Sequence, residues 1–486
     1  MILIYSRCSQ RGSFYLEINV LIQNAGSTVP VLCARRHRID WYRNMTDKSK
    51  KVPSSRISRL AHLGGLAGKV ASNVVMSGAR QVLSGQTVTK KELLLQPKNI
   101  HAVADKLAHL RGAAMKLGQL LSMDSGDLLP KELALLLEKL RADAQPMPHK
   151  QLIGLLKLNW GPHWLDKFSH FELRSFARAS IGQVHEATTE SGQKLALKIQ
   201  YPGVANSIDS DVDNVAMLIK ISGLMPKQVA IEPLMAEAKQ QLLVETDYLT
   251  EGRRLQAFKT GLQSYSQFKV PEYFPQHSTE HILAMEFVAG RSLDSQVHAL
   301  PAVRNKIASD LIQLFFIEMF ELGVIQSDPN LANYLYDEAQ EQIVLLDFGA
   351  SRSIRHELAL GYWLLLKAGL EHDREMMTKA VQSIGYFGEQ IEHDYRDIVL
   401  DLFFMATEPL RAEQPYDFAN SDIAQRIRDK GMALSAREGQ WHTPPVDALF
   451  IHRKLAGLYL IAARLNAEVD VTELFNGFEK PDSLGL

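Results

Sequence analysis

The sequence predicts an α+β architecture: two unequal lobes with a helical extension in front. Three observations carry this. Helical periodicity begins at Lys90, short β-like runs occupy 171–200, and the chain is mostly helical again from about 232 onward. Strands are expected to return only at 268–272, 281–288 and 342–346. Helices first, then a small β-rich part, then a large helical part is the order of two lobes behind an extension.

Composition narrows the function. The 486 residues carry 54 Lys and Arg against 55 Asp and Glu, a net charge of -1, with 46% hydrophobic and 22% charged residues. Such a chain can bury a large core and is not disordered. Its charge balance gives no support for binding held by phosphate-backbone electrostatics, so no nucleic-acid partner is expected. Cys8 and Cys33 are the only cysteines. They exclude a disulfide framework and a Cys-rich zinc site, and they fit a reducing compartment.

Length suggests about three units. They are a helical extension at 90–165, an N-lobe at 166–290 and a helical C-lobe at 291–486, preceded by leaders at 1–44 and 45–89. Residues 1–44 hold six Arg, no Lys and only Glu17 and Asp40 as acids. This suits either a transit segment, though the run opens on apolar residues and reads as short β-like runs, or an extension ahead of a start at Met45. The second is favoured, because the sequence after Met45 looks like a natural start. Without it the body has 48 Lys and Arg against 53 Asp and Glu and no cysteine. Residues 45–89 begin with Lys48, Lys50, Lys51, Arg56 and Arg59, then run through a small apolar stretch at 60–83. That stretch is either a membrane-surface segment or a flexible basic leader.

Within the body, Val103, Leu107, Leu110, Ala114, Leu117 and Leu121 recur at helical spacing along one face. A second helix is expected at 131–141 behind Pro130, and one long helix at 232–262. The apolar run 311–325 contains Gln313, Glu318 and Glu321 and reads as a buried core helix, not a membrane span.

The strongest chemical signal is Gln326-Ser327-Asp328-Pro329-Asn330-Leu331-Ala332-Asn333, followed by Ile343-Val344-Leu345-Leu346-Asp347-Phe348-Gly349. A D-x-x-x-x-N loop, an apolar strand and DFG form the metal-binding layout of protein-kinase-like phosphotransferases. Mg²⁺ is a hard cation that takes oxygen ligands, which Asn333 and Asp347 can supply. Such a site also needs a strand lysine for the α- and β-phosphates, and Lys198 in Leu195-Ala196-Leu197-Lys198-Ile199 has that setting. Its acidic partner should come from the following helix, where Glu245, Asp247 and Glu251 are expected to lie together, Asp247 and Glu251 sharing a face.

Other features depart from ordinary protein kinases. The place of a glycine-rich phosphate loop is taken by Phe176-Ala177-Arg178-Ala179-Ser180-Ile181-Gly182, where each alanine brings a Cβ that restricts the backbone. His185 beyond it reads as a packed histidine. No HRD or APE occurs, and the chain turns helical soon after Gly349, leaving no room for a long activation loop. In the extension, Lys116 and Gln119 stand i,i+3 around Gly118, a residue that costs about 1 kcal/mol in mid-helix.

KLGQ, ASIGQVH, LALKIQYPGV, ETDYLTE, MEFVAGRSL, QSDPNLANYL and LLDFG occur in this order. Over about 95–465 the chain thus resembles the AarF/UbiB family of atypical kinases, the group that includes the coenzyme Q biosynthesis kinases. The resemblance implies a protein-kinase-like two-lobed fold whose K-x-G-Q extension covers the active site against peptides. It implies ATP, or ADP, bound with Mg²⁺. Lys198 would contact phosphates and pair with Glu251, while Ala177, Ala179 and Ser180 would line the nucleotide. Backbone groups of Glu286 and Val288 would meet the adenine. Asp328 would be the catalytic aspartate, with Asn333 and Asp347 on the metal, and Glu245 and Asp247 would answer Lys116 and Gln119. Arg178 interrupts the alanine-rich element, and the hydrophobic C-terminal tail of some bacterial relatives is absent.

The activity implied is ATP hydrolysis or small-molecule phosphotransfer in support of ubiquinone biosynthesis at a membrane surface. Its partners would be a nucleotide, membrane lipid or a quinone precursor, and quinone-biosynthesis enzymes. The protein would be cytoplasmic and peripheral to the inner membrane, or mitochondrial in a eukaryote. An ATP-binding scaffold with little turnover is the alternative. A small-molecule kinase of the antibiotic phosphotransferase type is a weaker one, since KLGQ and the alanine-rich element count against it.

Overall fold

The computed structural model describes residues 146–222, 231–387, 392–435 and 445–481. They belong to one of two compact units of the chain, Ser49–Leu486; the other, Met1–Lys48, lies outside them. Also outside the described residues lie the basic leader, the expected helices around 103–121 and 131–141, and Lys116, Gly118 and Gln119.

The first lobe is built on an antiparallel sheet. Helix α1 (His149–Trp160) precedes β1 (Phe168–Phe171), β2 (Ala177–Ala179), β3 (Gly182–Thr189) and β4 (Lys194–Gln200). After α2 (Ile208–Ser222), α3 (Ile231–Glu245), α4 (Tyr248–Gly261) and the short β5 (Phe268–Lys269), β6 (Ile282–Glu286) completes the sheet. The order is β1-β3-β4-β6, with β2 paired to the start of β3. Helix α1, in the extension by sequence, packs on this lobe. The Trp160 and Phe168 rings lie 5.3 Å apart, Thr279 Oγ1 donates to Asn159 Oδ1 at 2.9 Å, and the Met147 amide donates to Gln183 Oε1. Strand β4 is buried at every position after Lys194, as a central strand covered on both faces must be, so its apolar run is broken only by Lys198.

The helix expected across 232–262 is in fact two. Helix α3 stops at Glu245, and Asp247 caps α4 by accepting the Thr250 amide hydrogen at 2.9 Å. A short side-chain acceptor satisfies an amide that a continuing helix would have left to its own backbone, and the chain restarts there. Asp247 and Glu251 therefore do not share a face of one helix: Asp247 is a solvent-facing cap and Glu251 is buried.

The second lobe opens with β7 (Arg291–Ser292) and α5 (Pro301–Ile317), which buries Ile307, Leu311, Leu314 and Phe315. Its Phe316 ring meets Phe475 and Phe478 at 5.7 and 5.6 Å. A π-helical turn, Glu318–Leu322, ends α5, and Gly323 then adopts φ 66° to reverse the chain into β8 (Val324–Gln326). The expected core helix thus ends at residue 317 and gives way to a turn and a strand. Strands β9 (Tyr334–Asp337), β10 (Gln342–Leu345) and β11 (Ser351–Ser353) follow. β5, β10, β9 and β7 form one sheet in that order, β5 parallel to β10, while β8 pairs with β11. The strand expected at 268–272 is cut to two residues, since Pro271 has no amide hydrogen to extend the ladder.

Helices α6 (His356–Glu371), α7 (Arg374–Ile384), α8 (His393–Ala406), α9 (Ile423–Ser435) and α10 (Val446–Arg464) complete the body. The two-stranded pair β12 (Tyr416–Asp417) and β13 (Glu468–Val469), with α11 (Val471–Asn476), closes it. Among the described residues no helix is long and apolar enough to cross a membrane.

Candidate active site

Strand β4 and helix α4 meet at one ion pair. Lys198 Nζ lies 2.7 Å from Glu251 Oε1 and 3.0 Å from Oε2, and 3.5 Å from Asp347 Oδ2. Both Lys198 and Glu251 are buried, and the ammonium sits over the Tyr248 ring at 5.2 Å. Burial works against the charge on Lys198, but Asp347 and Glu251 outweigh it and hold its pKa well above that of an ordinary lysine. Burial likewise pushes Glu251 up, to about 7, against the pull of Lys198. A buried pair recovers its desolvation cost only with good geometry, and the ammonium here reaches both Glu251 oxygens.

The residues of the Asp328 loop are tied to Asp347 by hydrogen bonds. Asp328 follows β8, and its amide donates to Gln326 Oε1 at 3.2 Å. Gln326 Nε2 in turn lies 3.4 Å from the Asp347 carbonyl oxygen. Gln326 thereby ties the two aspartates together, a linking role that its place in the loop motif alone did not announce. Asn333 Nδ2 donates to the Asp328 carbonyl at 3.1 Å, which turns its amide oxygen the other way. Asp347 Oδ1 accepts the Gly349 amide at 2.9 Å, while Oδ2 faces Lys198. Phe348 packs on Phe258 of α4 at 5.0 Å, and Arg254 of α4 donates to the Gly349 carbonyl at 2.8 Å. So α4 fixes the DFG segment from one side, with Glu251 and Arg254 three positions apart on it.

The alanine-rich element is a hairpin. Ala177 pairs with Val184 and Ala179 with Gly182, leaving Ser180 and Ile181 as the turn. The Ser180 hydroxyl donates to Glu245 at the end of α3, a short contact that ties the hairpin to that helix. Gly182 is required by close approach: a Cβ there would strike the Ile199 carbonyl and come within 3.1 Å of Tyr248 Oη. His185 is packed, its ring nitrogens on the Glu172 carbonyl (2.9 Å) and Gln183 (2.7 Å), and burial lowers its pKa to about 4. At the rim, the Glu286 side chain is held by Lys269 at 2.9 Å. The Glu286 amide donates to the Glu272 carbonyl and the Phe287 amide to that of Lys194. Val288 stands two residues beyond the strand end.

These residues fit Mg²⁺ with a nucleotide. Asn333 and Asp347 reach one small cavity that is otherwise mostly apolar, lined by Phe258, Leu314, Leu345 and Phe348, so the fit rests on their oxygen atoms and not on that cavity. Among the described residues no three His, Cys, Asp or Glu side chains form a cage. One carboxylate and one amide oxygen are what Mg²⁺ uses when phosphates provide the remaining ligands. Asp247 stands apart as a cap, held below the usual carboxylate range by its bonds from Thr250. Lys116 and Gln119 lie outside the described residues. Local sequence carries a signal for Gln326, two places before Asp328, and for Arg254, one turn after Glu251; for a contact from α10 it carries none.

Known proteins resemble this chain over most of its length. The family model described as the ABC1 atypical kinase-like domain matches residues 139–381. "Atypical kinase COQ8, mitochondrial" of Saccharomyces cerevisiae is 37% identical over 433 residues, 88% of this chain and 86% of that protein. "Atypical kinase COQ8B, mitochondrial" of Rattus norvegicus is 35% identical over 435 residues, 89% of this chain and 82% of that protein. Among solved structures, the complex of Rv3197 with erythromycin from Mycobacterium tuberculosis covers 84% of this chain and 97% of its own, with a TM-score of 0.54 at 21% identity. At that identity the likeness is one of fold.

Proposed function

The chain belongs to the ABC1 atypical kinase-like family, and from that premise we propose that it binds Mg-ATP and cleaves the γ-phosphoryl bond, in support of ubiquinone biosynthesis at a membrane surface. The observation that carries the reading is the Lys198–Glu251 pair at 2.7 Å with Asp347 at 3.5 Å from the same ammonium. This arrangement presents one cation to phosphates and one carboxylate to a metal.

The roles follow from position. Lys198 binds the phosphates, and Glu251 holds it in place. The Ala177–Ala179 hairpin, through Ser180, covers them. The Glu286 carbonyl and the Val288 amide take the adenine edge. Mg²⁺ bound by Asn333 and Asp347 supplies charge neutralisation for the transferred group. Asp328 orients the acceptor hydroxyl and takes its proton at a carboxylate oxygen as the new O–P bond forms and the bridging bond to ADP breaks. The acceptor is water or a small molecule such as a phenolic quinone precursor. The relatives are mitochondrial by name, which supports the mitochondrial of the two expected compartments.

The test is Mg-dependent ATP turnover by the full chain, with and without liposomes and phenolic precursor analogues, against Asp347→Asn. Turnover at least tenfold above the variant is expected. Equal rates with ATP binding retained would leave the scaffold reading in its place, and no ATP binding at all would sink both.

A further inference from the structure

Three consecutive residues of α10 carry their polar groups into the body of the second lobe. His452 lies between Tyr362 and Tyr386, with ring-nitrogen contacts of 2.8 and 2.9 Å to their hydroxyls. Lys454 is fully buried against Glu318 at 3.2 Å, and Glu318 Oε2 accepts the Gln326 amide. Between them, Arg453 Nη2 stands 3.9 Å from Asp328 Oδ1, with only 8% and 10% of the two side chains exposed.

The loop itself supplies no cation. Gln326 to Asn333 contains no Lys or Arg, and Asn330 stands two places after Asp328. The Asp328 backbone is fixed from both sides by Gln326 and Asn333. Orientation of its carboxylate is a separate matter, since a side-chain torsion is not set by backbone bonds. The guanidinium approaches it from a helix held by His452 and Lys454 on either side, and only 8% of the Arg453 side chain is exposed.

We propose that Arg453 is a positioning residue for the proposed phosphoryl chemistry. It orients the Asp328 carboxylate toward the acceptor and places a fixed positive charge beside the reacting centre, in place of a cation from the loop. This rests on the kinase-like reading above. At 3.9 Å the contact is one of charge and longer than a hydrogen bond, so what Arg453 supplies is a permanent positive field at the carboxylate.

The experiment compares wild-type full chain with Arg453→Met, Arg453→Gln and Arg453→Lys, measuring kcat and KM for Mg-ATP turnover, ADP affinity by calorimetry and the thermal midpoint. Arg453→Met should lose at least twentyfold in kcat, with KM and ADP affinity within threefold, because Arg453 acts through Asp328 and not through the nucleotide. Arg453→Lys should recover at least fivefold of that loss. If Arg453→Met does not fold, Arg453→Gln is held to the same expectation. An unchanged kcat in a folded variant overturns the inference. So does a KM that rises as far as kcat falls, or a Lys variant no better than Met. Absence of turnover in the wild type strikes the kinase-like reading itself, and is seen before any variant is compared.

Discussion

Lys198 and Glu251 come from elements separated by two helices in sequence, yet their side chains meet at 2.7 Å in the interior. Each is costly to bury alone, so each needs the other. Glu251→Gln keeps shape and removes charge, leaving Lys198 to Asp347 only. Nucleotide turnover should drop at least tenfold, and the thermal midpoint should fall with it, because the buried ammonium keeps only its 3.5 Å contact with Asp347. A variant with normal turnover would show that the pair is purely architectural.

Gln326 is the hinge between two aspartates. Truncation to Ala removes its bonds to the Asp328 amide and the Asp347 carbonyl in a buried setting, worth about 1–3 kcal/mol where a donor is left unpaired. We expect a lower denaturation midpoint together with reduced turnover. Stability loss with turnover per folded molecule intact would argue against a linking role.

Lys454→Met strands the Glu318 carboxylate in the core, and a loss of about 3–5 kcal/mol is expected from an uncompensated buried charge. Adding Glu318→Gln should return much of it, and chemical denaturation of both singles and the double measures this coupling. Additive losses would refute the pairing as the cause.

His185 and His452 are held near a pKa of about 4 by burial, below the ordinary 6.5. Between those values the unfolded chain binds protons that the folded one refuses, so stability falls as pH drops from 6.5 toward 4. Each histidine contributes roughly 3 kcal/mol to that fall at most. Glu251, held up at about 7, works in the opposite direction over the same window. The wild-type slope in denaturation followed from pH 7.5 to 5 is therefore a balance, and His185→Gln should lose less stability on acidification than the wild type does. Parallel slopes would remove His185 from the account.

Much of this was legible from residue order. The Asp328, Asn333 and Asp347 set could be placed because its spacing and its strand are local features. Lys198 could be singled out because, although a lone strand lysine normally faces solvent, acids follow on the next helices and the aspartate loop lies downstream. The break at Asp247 was missed because capping residues look like ordinary polar positions until the preceding helix stops. The shortening of the strand at 268–272 was available in Pro271. Ser180 on Glu245, and Arg453 on Asp328, depend on how distant elements are brought together, and no local pattern encodes that.

The placement of Arg453 and Lys454 has a consequence for how the protein is made. The sheet, the hairpin and the loop with both aspartates leave the ribosome well before α10 does, and domains commonly begin folding during synthesis. The brace behind the loop arrives last. A premature stop between residues 350 and 452 would therefore yield a chain that carries every expected nucleotide ligand but lacks the Arg453 contact with Asp328.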